Sequence, residues 1–75
     1  MAQVNAEELK KVVREQLGSK PSAIFMDRVY KAIDGAGEDQ AAMAAVCKRV
    51  QNMIKLFIDD KDAVVIGQRF NELLN

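Results

Sequence analysis

Met43, Val46, Val50, Met53 and Phe57 recur at intervals of three, four, three and four residues, and no other run constrains the fold as much. That spacing lines five apolar side chains along one side of an α-helix, where positions three and four apart are neighbours. Cys47, Ile54 and Ile58 widen the stripe to an arc of roughly 160° at 100° per residue. An arc so broad predicts a long central helix over residues 38–58 that touches more than one partner. Lys48, Arg49, Gln51, Asn52 and Lys55 occupy its polar side. Glu38 and Asp39 stand near its start, where the helix dipole favours negative charge.

Three further helices are legible around it. Asn5 is a good N-cap with Glu8 three residues on, and Val4 and Leu9 are spaced for a hydrophobic staple. Ala6, Leu9, Val13 and Leu17 then share a face, and Gly18 stands where a left-handed cap is wanted, giving a helix over 6–17. Pro21 breaks the chain and Ser22 can cap a second helix, 22–33, with Phe25, Met26, Val29, Tyr30 and Ile33 as its stripe. Asp59 or Asp60 can cap a fourth, 61–74, which buries Ala63, Ile66, Phe70, Leu73 and Leu74. Gly67 lies inside that helix, and with Ala63 it is placed to let a neighbour approach closely. No stretch alternates with period two. The expectation is an all-α single domain over 1–75, a compact four-helix bundle or orthogonal helix cluster with short links.

Composition narrows the function classes. With 75 residues the chain buries only about 60% of its unfolded surface, so its margin of stability is thin. A single cysteine, Cys47, excludes an intrachain disulfide and fits a reducing compartment. There is no histidine, and one thiol cannot build a tetrahedral zinc site, so no metal and no cofactor is expected. Eleven basic residues balance eleven acidic ones, which argues against nucleic acid and against membrane surfaces. The start lacks the pattern of a signal peptide, and runs such as A-A-M-A-A-V-C are far too short to span a bilayer. A cytoplasmic protein is the expectation.

The segments that resemble chemistry have plainer readings. Gly35 and Gly37 give G-x-G, but the third position of a dinucleotide fingerprint would be Gln40, and no strand precedes it. Glu38 and Asp39 would repel a phosphate there, and the ligands of a calcium loop run out in alanines after Gln40. The stretch is a linker. Cys47 has no histidine to activate it and lies on the flank of an apolar face, where a thiol is a small hydrophobe. The acids of D-D-K-D, 59–62, read as caps and solvated charges, so no catalytic residue is expected. Small helical carrier domains are similar in length, but their Asp-Ser-Leu attachment motif is missing: the serines are Ser19 and Ser22.

Four apolar residues point away from the stripes of their own helices: Ile24, Leu56, Val64 and Val65. Together with Arg49 and Arg69 they form the candidate contact patch, rimmed also by Lys55. The function expected from it is non-catalytic protein–protein association, by homodimerisation or by docking to another protein. The alternative is a DNA-binding regulator with the fourth helix as its recognition helix. That helix would present Val64, Val65, Gln68 and Arg69 between Asp62 and Glu72, a poor reader of a groove.

Overall fold

The computed structural model describes residues 5–74 and places four α-helices in them: α1 (Ala6–Leu17), α2 (Ala23–Gly35), α3 (Gln40–Phe57) and α4 (Asp60–Leu74). Each opens on a side-chain cap that satisfies amides left free at a helix N-terminus. Asn5 Oδ1 accepts from the Glu8 amide at 2.9 Å, and Ser22 Oγ accepts from the Phe25 amide at 3.1 Å. Asp39 Oδ1 accepts from the amides of Ala41 and Ala42, and Asp59 Oδ1 from that of Lys61 at 2.7 Å. Val4, the expected staple partner of Leu9, lies outside the described residues.

The second link is shorter than its glycines suggest. Gly35 stays helical, so α2 runs two residues beyond the expected end. Gly37, at φ 63°, makes the reversal, and Asp39 caps α3 from an extended backbone, which moves the start of α3 from 38 to 40. The stretch is a linker between helices, with its acid spent on the cap.

Side-chain pairings give the topology. Lys10 of α1 reaches Asp34 of α2 at 2.7 Å and lies 5.7 Å from the centre of the Tyr30 ring. Phe25 of α2 meets Phe57 of α3 edge-on, at 6.2 Å between ring centres. Lys55 of α3 is 3.9 Å from Asp60 of α4, while Arg69 of α4 bonds Glu15 of α1 at 2.7 Å and Asp62 bonds Gln16. Every pairing runs in opposite chain directions. The helices therefore alternate up and down in a closed ring in which α1 touches α2 and α4, α3 touches the same two, and the diagonals stay apart. α3 is the longest at 18 residues, and its packing on α4 is the most extensive between any two helices. Leu9, Val13, Val29, Ile33, Val50, Ile54, Ile66 and Phe70 fill the space between.

The close α3–α4 approach has a named contact. A Cβ built at Gly67 would lie 2.6 Å from Gln51 Cδ, so the Gln51 amide occupies the space a side chain would take. That amide is the far end of a flexible, half-buried side chain and can swing outward. Gly67→Ala is therefore expected to stabilise the fold by up to about 1 kcal/mol, the helix-propensity gain less the cost of moving Gln51. Urea denaturation measures it. A lower midpoint would show that Gln51 is held in place.

Two residues depart from expectation. Phe57 belongs to the three-four seam yet is 71% exposed. A seven-residue repeat drifts about 20° per heptad on a straight helix, so two heptads after Met43 the seam has rotated out of the core toward α2. The helix also ends there, with the amides of Ile58 and Asp59 both bonded to the Ile54 carbonyl. Asp62, read as a cap or solvated charge, is instead 7% exposed. It stands four residues before Ile66 on the buried side of α4, a signal that the sequence does hold.

Candidate functional site

Of the six candidate residues, Arg49 lines the α2–α3 flank, and helix spacing puts Ile24 and Leu56 on that same flank. Lys31 and Arg49 line one groove between α2 and α3. Ile24 precedes Lys31 by seven residues and Leu56 follows Arg49 by seven, two turns along the same stripes in an antiparallel pair. They end up at the same end of the groove, beside the Phe25–Phe57 contact. Ile24 is 71% exposed, Leu56 77% and Phe57 71%. Three large apolar side chains so open, in so small a domain, form a patch that water disfavours. Phe57 completes it, and its place on the seam hid it.

The other candidates lie apart. Val64 is 49% exposed and lines the far side of α3, with Lys48, Gln51 and Lys55. Val65 is 37% exposed and, one position on, faces the other flank of α4. Arg69 lies in the α1–α4 groove, where its guanidinium bonds Glu15. The six candidates thus divide among three flanks of the ring. Among the described residues, the three most exposed large apolar groups, Ile24, Leu56 and Phe57, fall on the α2–α3 flank, which Arg49 also lines.

The cations differ in what they face. Arg49 and Arg28 are exposed and make no ion pair among the described residues. Arg28 stands one turn before Lys31 on the same side of α2. Lys31 is paired with Asp27, 3.1 Å away and exposed, a contact of little strength in water. Beneath them the groove floor is small: Ala32, Gly35, Ala36, Ala42 and Ala45. No carboxylate lines it.

The remaining reactive groups are taken up in packing. Cys47 is buried, and burial pushes its thiol up to about 11, so it is held neutral. Asp62 accepts from Lys20 Nζ at 2.8 Å and from Gln16 Nε2 at 3.1 Å, which ties the start of α4 to the end of α1. The Lys20 ammonium, with help from the Gln16 amide, holds that carboxylate below the usual range. Among the described residues no group of three or more acidic or thiol side chains could hold a metal ion, and no helix is long and apolar enough to cross a membrane. Comparison of the chain with family models, with curated proteins and with solved structures finds no match in any of the three.

Proposed function

We propose that this chain is a non-catalytic association module, which works by burying the apolar end of the α2–α3 pair against another protein molecule. One observation carries the reading: Ile24, Leu56 and Phe57 are each more than 70% exposed and gather at one end of two antiparallel helices. Full burial of one such side chain is worth about 1.5–3 kcal/mol, so three supply a hot spot while Arg49 forms part of a polar rim. The balanced net charge supports a protein partner over nucleic acid. Uptake of the lone thiol and the buried Asp62 into packing supports a role without catalysis, and a reducing, cytoplasmic setting suits that thiol.

The test compares the chain with a Leu56→Ser/Phe57→Ser double variant by sedimentation equilibrium and by capture of partners. Both residues are exposed, so the variant is expected to melt as the parent does. Association seen with the parent, with itself or with a defined partner, is expected to weaken by about tenfold or more in the variant. A parent that remains monomeric at near-millimolar concentration, and captures nothing that the variant fails to capture, would remove the reading.

A further inference from the structure

We infer that the α2–α3 groove receives an amphipathic helix with acidic flanks, supplied by a partner protein. The inference rests on the association reading above and names the occupant. The groove is lined from Gly35 and Ala45 to Lys31 and Arg49, and the same helix stripes continue to Ile24 and Leu56, so the whole flank spans about 16 Å at 1.5 Å per residue, or three turns of a docked helix. Its floor of alanine and glycine admits the apolar stripe of a helix at close range, and beyond the lined stretch the exposed Leu56 and Phe57 offer large apolar contacts toward the Phe25 end of α2. This is the geometry in which a helix is read through residues at i, i+3 or i+4, and i+7.

Charge selects the flanks. Lys31 of α2 and Arg49 of α3 line the groove, with no carboxylate among its described lining residues, and Arg28 stands one turn from Lys31 on the same side of α2. Among the described residues Arg28 and Arg49 have no ion pair to give up on binding. Acids along both edges of a docked helix would meet them in a partly dry site, while a basic helix would be repelled. The same cations disfavour a second copy of this chain. A two-fold pairing sets a surface against itself, here cations against cations. The apolar end alone is also too small for it. A standard interface takes about 800 Å² per partner, roughly a sixth of the 4888 Å² this chain exposes. Nucleic acid is disfavoured by the apolar floor, which offers phosphates nothing.

The experiment titrates the isotope-labelled full chain, followed by NMR, with three synthetic helices of roughly 16 residues. They share one leucine stripe and carry flanks of glutamate, glutamine or lysine. The glutamate helix is expected to shift the amides of Lys31, Ala45, Arg49 and Leu56 and to bind about tenfold tighter than the glutamine helix, with the lysine helix weakest. An Arg28→Glu/Arg49→Glu variant, checked for an unchanged melt, is expected to reverse that order. Equal affinity for all three helices would overturn the acidic occupant and leave the association reading standing. So would a concentration-dependent dimer, abolished by Leu56→Ser/Phe57→Ser, in a chain that no helix perturbs. Tighter binding of a short DNA duplex to these amides would overturn it in favour of nucleic acid. No perturbation by any helix, in a chain that stays monomeric and captures no partner, would overturn both readings.

Discussion

Phe70→Ala is expected to abolish cooperative folding near physiological temperature, whereas Phe57→Ala, thirteen positions away, is expected to leave it nearly unchanged. Phe70 is 2% exposed and fills the bundle interior from α4. Removing a buried phenylalanine costs about 3–5 kcal/mol, through lost transfer free energy and the cavity left behind. A chain of 75 residues has only roughly 4–11 kcal/mol in total. The melting temperature is expected to fall by on the order of 15 °C or more, or the transition to vanish. Phe57 is 71% exposed and contacts the half-buried Phe25 edge-on, a pair worth about 0.5–1.5 kcal/mol. Paired thermal and urea denaturation of the two variants decides the matter. Equal losses would return Phe57 to the core, and with it the seam as first read.

The contrast between these phenylalanines marks what the chain discloses on its own and what it does not. Helix ends were legible because the signals are local: Asn5, Ser22, Asp39 and Asp59 cap within their own first turns. Stripes were legible while the helix stayed against its neighbours, so Met43, Val50 and Ile54 are buried as their spacing requires. Phe57 was not, because its exposure depends on the drift of a seam relative to α2 and on where α3 stops. Asp62 was hidden by its company in D-D-K-D. Which of those acids turns inward depends on α1 lying alongside α4, so that Gln16 and Lys20 arrive from 46 and 42 residues away. For the surface, spacing identified Ile24 and Leu56 as off-stripe. That they share one flank follows from α2 and α3 being antiparallel neighbours, and the division of Val64, Val65 and Arg69 onto other flanks follows from the order of helices around the ring. Arg28 has no apolar stripe to mark it, and its place follows from Lys31, one turn on, which lines the groove.

The second large effect concerns pH, and both limbs have identified origins. The carboxylates of Asp62 and Glu15 are held below their ordinary values, Asp62 by Lys20 and Gln16 and Glu15 by the Arg69 guanidinium. A depressed carboxylate stabilises the fold fully above its unfolded value, about 4, and loses that contribution as pH falls through the folded one. On the other side, the Cys47 thiol is pushed up to about 11 by burial. An unfolded thiol ionises near about 8.5, so from there to about 11 the unfolded chain sheds a proton that the fold retains, and stability falls. Lys20, raised by Asp62, and Lys10, raised by Asp34, act in the same direction, but only as pH climbs past the ordinary lysine value of about 10.4. The urea midpoint is therefore expected to be flat from about pH 5 to about pH 8.5 and to fall on both sides. The onset separates the groups: Cys47→Ala lowers the midpoint at every pH through its small cavity, yet flattens the decline between about pH 8.5 and about pH 10. Asp62→Asn is expected to leave that alkaline decline in place and make the acid limb shallower. If Cys47→Ala leaves the alkaline slope unchanged, the thiol ionises in the fold as readily as in the unfolded chain. Solvent must then reach the α3–α4 contact at Cys47.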